Sequence, residues 1–133
     1  MWPPDVERIA VLLRSAGVEG RLEELPLDET SIPAPAVRAE AYDCDGRTVV
    51  ALVPADRDVD RGKLRTALRC REIRRLDTPS FPYPKASVVI ERLVLGQETI
   101  WVEAGSARHV ASLTPAGLVE LTHAETADLV ANA

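Results

Sequence analysis

Aromatic side chains are scarce in this chain, with one Phe, two Tyr and two Trp among 133 residues. That scarcity argues against a sheet that stacks the bases of single-stranded RNA on rows of Phe and Tyr. Cysteine and histidine are scarcer still, at two each. Cys44 and Cys70 have no second pair and no neighbouring His, so they make neither a zinc site nor a disulfide framework, and the expectation for both is a buried free thiol. Asp56, Asp58 and Asp60 alternate like the opening of a calcium loop, but no Gly follows at the sixth position and no Glu closes at the twelfth. Neither a metal nor a cofactor is expected. No apolar run approaches membrane-spanning length, and Met1-Trp-Pro-Pro-Asp5 has neither the basic region nor the apolar core of a signal sequence. These absences lead to the expectation of a soluble, cytoplasmic protein without a membrane or DNA partner.

What is present is a large aliphatic fraction. Hydrophobic residues make up 46% of the chain, mostly Val, Leu and Ala. At this length that is enough for one domain, residues 1–133, with a proper core and several short strands. Net charge is −5, but Arg61, Lys63, Arg65, Arg69, Arg71, Arg74 and Arg75 crowd one stretch opposed only by Glu72. Two readings stand: a basic face that meets a polyanion, or a solvated helix face. Six of these seven cations are Arg, whose planar fork pairs with phosphate in a bidentate manner.

Pattern and punctuation outline the elements. Pro3-Pro4-Asp5 opens a helix with Val6, Ile9, Ala10, Leu12 and Leu13 at helical spacing, and Gly17 ends it. Arg21 to Leu25 reads as a short strand. Val37 to Cys44 alternates, and Asp45-Gly46 signals a turn onto Thr48 to Val53, whose Val-Val-Ala-Leu-Val run predicts a central strand covered on both faces. Asp60 caps a helix from about Arg61 to Arg69 with Leu64, Ala67 and Leu68 toward the core. Strands are expected at Ile73 to Leu76, Ser87 to Ile90 and Thr99 to Ala104, with an irregular proline-rich loop from Asp77 to Lys85. Gly105 reads as a turn, and a short strand follows it. Thr114-Pro115 starts another helix, and a last helix is expected from about Ala124 to Val130, with His123 at the junction.

Three stretches also carry a resemblance. Val49-Val-Ala-Leu-Val-Pro-Ala-Asp56, then Thr99-Ile-Trp-Val-Glu-Ala-Gly-Ser106, then Leu113-Thr-Pro115 are similar to the YbaK/ProX family of aminoacyl-tRNA editing domains. In that family a strand ends in Val-Pro-Gly-Asp, an Ala-Gly-Ser turn follows further on, and a Leu-Ser/Thr-Pro helix start closes the pattern. The likeness runs from roughly Val37 to Leu129. It implies an α+β fold, a YbaK/ProX-like mixed, barrel-like sheet wrapped by short helices. It also implies an aminoacyl-tRNA deacylase acting on the 3′ end of a mischarged tRNA, with an aminoacyl-tRNA synthetase as a further partner.

Carried onto this chain residue by residue, the family's lysine falls on Arg38. Arginine keeps the charge and can hold a phosphate or an oxyanion, but it stays protonated and cannot act as a base. The family helix before that strand is reduced to Pro33-Ala-Pro-Ala36, so Thr30, Ser31 and the loop around Phe81 are expected to build the pocket. Thr78-Pro-Ser-Phe-Pro82 stands where the family has a glycine-rich segment. Gly105, with the amides of Ser106 and Ala107, has the makings of an anion-binding nest. Arg108 and His109 follow closely enough to reach the same cleft, making Ser106 and His109 candidates for water positioning. Lys63, Arg65, Arg69, Arg71, Arg74 and Arg75 are the expected tRNA contacts. Each has a plainer reading: Arg38 as an exposed strand residue, Gly105-Ser106 as a tight turn, His109 as a surface side chain. Covalent serine catalysis is not expected, because Ala104-Gly-Ser-Ala-Arg108 lacks the second glycine of a nucleophile elbow. Besides the deacylase, two functions stay open: a non-hydrolysing member that binds the acceptor end or a synthetase, and a fold kept for a small metabolite.

Overall fold

The computed structural model describes residues 2–26 and 33–132. Thr30 and Ser31 lie outside the described residues. Helix α1, Pro4–Ala16, begins with Pro in its first turn and stops at Gly17, whose φ of 67° lets its N–H reach back to Arg14 and the Val18 N–H reach Leu13. Val6, Ile9 and Leu13 form its buried stripe.

Strand β1, Gly20–Glu24, is followed after the proline segment by the hairpin of β2, Val37–Cys44, and β3, Arg47–Pro54. Asp45 and Gly46 turn that hairpin at φ of 50° and 97°, as the Asp-Gly pair predicts. Helix α2, Arg61–Leu68, is capped by the Asp60 carboxylate, which accepts the Lys63 N–H. Then come β4, Ile73–Leu76; β5, Ser87–Glu91; a 3₁₀ turn, Arg92–Gly96; β6, Ile100–Ser106; β7, His109–Leu113; α3, Pro115–Thr122; and β8, Glu125–Ala127.

Two sheets result. One is antiparallel, in the order β1-β7-β6; the other is mixed, in the order β4-β2-β3-β5-β8. They meet where Ala36 bridges Trp101 and the Trp101 N–H donates to the Pro35 carbonyl. The main core lies between the sheets, joining Ile9 and Leu13 to Val50, Leu52, Ile90, Val102, Ala111 and Leu118. A second core covers the other face of the mixed sheet, where Tyr42, Val49, Ala51 and Val53 pack on Leu64, Leu68, Leu129 and Val130. Alternate residues of β3 therefore feed different cores, which is why the strand is apolar throughout. Among the described residues, no helix is long and apolar enough to cross a membrane.

Several expectations are corrected. Cys44 and Cys70 are joined in a disulfide with a Cα–Cα distance of 5.7 Å; pairing them requires the turn of chain after α2 to fold back on β2, which spacing alone does not reveal. Ala67 is exposed, because α2 is short and only Leu64 and Leu68 reach the core. Residues 124–130 form no helix: His123 closes α3 in the left-handed region, and Glu125–Ala127 pairs in parallel with β5. Gly105 is not the hairpin turn either. It sits at an irregularity inside β6, while Ala107 and Arg108 make the connection to β7.

Candidate functional site

The proline-rich loop, β2 and the end of β6 enclose a cleft of about 280 Å³. Val37, Arg38 and Ala39 border it from β2, Thr78 to Phe81 and Tyr83 from the loop, and Glu103 and Gly105 from β6. The loop is held in place locally. Tyr83 donates its N–H to Ser80, Ala86 donates to Tyr83, and the Thr78 hydroxyl donates to the Ala39 carbonyl at 3.4 Å. Phe81 and Tyr83 are buried and meet edge to face, ring centroids 5.7 Å apart. Burial, with the Glu103 carboxylate nearby, pushes the Tyr83 phenol well above its ordinary value.

Arg38 borders this cleft, but its guanidinium is turned to the Ala55 carbonyl at 3.3 Å and to Glu40 at 3.4 Å. Glu40 also takes Arg75. Arg75 and Arg61 lie over the Tyr42 ring at 5.6 and 5.7 Å from its centroid. Arg38, Glu40 and Tyr42 thus form a row on the face of β2 that carries the second core. Burial chiefly, then Glu40, raises the Tyr42 phenol, and Arg75, Arg61 and Arg38 pull the other way.

Gly105 has φ of 90°, and a Cβ there would stand 3.0 Å from the backbone of Asp5 and Val6. The glycine is needed for a strained turn of chain and for close approach of α1. Ser106 and His109 face each other across the hairpin, Ser106 Oγ to His109 Nδ1 at 2.6 Å, and the Arg108 N–H donates to the same hydroxyl. His109 is buried, not exposed, and meets Trp2 edge to face at 5.4 Å. The Arg108 guanidinium is tied to the Leu25 carbonyl and to Glu24. None of Ser106, Ala107, Arg108 and His109 is among the residues lining the cleft. The structure therefore joins Arg38, Phe81 and Gly105 in one cleft and sets the Ser106–His109 pair behind Gly105.

The basic stretch is also divided. Lys63 binds Asp128, the Val130 carbonyl and Asn132, holding the C-terminal segment. Arg74 pairs with Asp43 and Arg75 with Glu40. Among the described residues, Arg65, Arg69 and Arg71 are exposed and carry no ion-pair partner. Three residues of the site were not singled out from the sequence: Glu40, Tyr83 and Glu103. Glu103 left a signal, being the one charge in the otherwise uncharged strand Ile100-Trp-Val-Glu-Ala-Gly-Ser106.

No protein-family model matches this chain, and no curated protein matches it. Solved structures do. A proposed trans-editing enzyme for prolyl tRNA synthetase superposes with a TM-score of 0.86 at 18% identity, covering 99% of this chain and 100% of that one. A scaffold made by computational epitope grafting gives 0.84 at 20% identity, covering 99% and 100%. A proposed signal transduction protein from Marinobacter aquaeolei VT8 gives 0.74 at 18% identity, where this chain spans 98% of itself and 31% of that protein. These likenesses establish the fold: α+β, of the YbaK-like kind that the sequence resemblance implies.

Proposed function

We propose that this chain is a free-standing deacylase that hydrolyses the ester of a mischarged tRNA in the cytoplasm. The observation that carries the reading is the cleft itself. Arg38, Phe81 and Gly105, far apart in sequence, border one small cavity in a fold shared with a proposed trans-editing enzyme. In this reading the aminoacyl group occupies the cleft and water adds to its ester carbonyl. The tetrahedral oxyanion collapses, the bond to the ribose oxygen breaks, and that oxygen leaves with a proton. The Ser80 hydroxyl offers a hydrogen bond there, and Arg38 supplies a fixed positive charge for a phosphate or the oxyanion. Ser106 and His109 act through Gly105, holding the bend of β6 that closes the cleft. Arg65, Arg69 and Arg71 face the tRNA phosphates.

A second reading is favoured by one specific observation: the Arg38 guanidinium is paired with Glu40 and the Ala55 carbonyl. An arginine so engaged suits a module that binds the acceptor end, or a synthetase, without hydrolysis. The deciding experiment is a deacylation screen against mischarged tRNAs, including alanine and cysteine on the proline tRNA, with Arg38→Ala alongside. Turnover that falls at least about tenfold in the variant supports the enzyme. Unchanged turnover removes Arg38 from the site, and tRNA binding without turnover on any substrate supports the second reading.

A further inference from the structure

Two ionised side chains border the cleft, Arg38 and Glu103, and they differ in how they are satisfied. Arg38 is neutralised by Glu40, whose carboxylate also takes Arg75. Glu103 stands exposed on β6, across the ladder from Val110. Among the described residues it has no ion-pair partner. Its carboxylate lies near enough to the Tyr83 phenol to raise the latter's pKa. Val37, Ala39 and Phe81 supply apolar wall beside it. A ligand entering the cleft therefore meets one negative charge without an ion-pair partner among the described residues, at a solvent-accessible rim beside an apolar wall.

An aminoacyl ester is matched to that arrangement. Esterification has removed the negative charge of its carboxyl group, and its α-amine is protonated. An N-acylated ester brings no positive charge at all. Resting on the aminoacyl-ester reading above, we propose that Glu103 anchors the α-ammonium group of the bound aminoacyl moiety. The cleft thereby selects esters with a free amine over N-acylated esters. Glu103 is a specificity-determining contact in this assignment and takes no part in breaking the ester.

Calorimetric titration of the full chain tests the proposal with two hydrolysis-resistant probes. One is 3′-deoxy-3′-(L-alanylamino)adenosine, and the other is its N-acetyl counterpart. The parent protein is expected to bind the free-amine probe about three- to fivefold more tightly, the upper end of the scale of one solvent-accessible charge pair. Glu103→Gln, similar in shape but uncharged, brings the two affinities to within about twofold, and Glu103→Asp keeps part of the preference. Equal affinities in the parent, a preference that survives in Glu103→Gln, or failure of both probes to bind each overturns the anchor. Deacylation is followed separately on the panel of mischarged tRNAs named above. An amine preference without turnover upholds the anchor and overturns hydrolysis, whereas turnover without an amine preference overturns the anchor alone.

Discussion

Gly105 concentrates two demands in one position, a φ of 90° and backbone contact with the first turn of α1. Gly105→Ala is expected to destabilise the fold by about 2–4 kcal/mol, since a left-handed side chain and a displaced helix both cost energy. Urea denaturation checks this, with a lower midpoint and an unchanged slope as the expected outcome. Asp45 makes a different kind of prediction. Its carboxylate accepts the N–H groups of Arg71 and Glu72, and first these bonds, then the nearby Arg71 and Arg47 charges, hold its pKa below the ordinary value of 3.8. The folded value is depressed, so the stabilisation is complete above that ordinary value and is lost as pH falls through the lower folded one. Asp45→Asn keeps a side chain tolerant of φ of 50°. The variant should be less stable than the parent at pH 6, and the gap should close as pH falls below about 4. Denaturant midpoints measured over that range decide it; a gap that persists at the acid end removes the carboxylate as its cause.

At the scale of elements, legibility followed how local the signal was. The β2–β3 hairpin could be read because alternation and Asp45-Gly46 act within a few residues. Helices α1 and α3 could be read because Pro and Gly punctuate them, or Thr114 caps them. Residues 124–130 could not, because Ala127, Leu129 and Val130 answer to the edge of β5 and to the second core, which no local pattern records. The same limit applies to the site. Ser106 and His109 are three apart in the chain, and they touch only because a two-residue connection sets them opposite each other. With Gly105 taken as the turn, that register is invisible. Arg38 was located by its place before the hairpin, but its pairing with Glu40 two residues on depends on strand alternation putting both on one face. Glu103 was overlooked because its meaning comes from Phe81 and Val37, which reach the cleft from other elements.

For the whole molecule, charge is the property that function depends on. The chain carries −5, and ion pairs absorb part of its basic stretch, leaving Arg65, Arg69 and Arg71 exposed and without ion-pair partners among the described residues. If these meet tRNA, Arg69→Ala combined with Arg71→Ala weakens binding to every tRNA alike, because phosphate contacts carry no sequence information. The slope of log affinity against log salt should then shrink by about 0.7–0.9 for each contact removed. Affinity titrations across salt concentrations check this, and a loss confined to one tRNA contradicts it. The fully buried Glu91 has a consequence for how the chain is made. One of its oxygens accepts the N–H of Leu93 and the other that of Leu129, 38 residues onward. Val130 and Leu129 also pair with Val59 and Asp60, ahead of α2. A nascent chain that has emerged only as far as α3 thus has β5 as an open edge, able to pair with another chain, and a buried carboxylate short of one donor. Completion of the mixed sheet along β5 therefore waits on the segment through Leu129, which supplies both the edge strand and the second donor to Glu91.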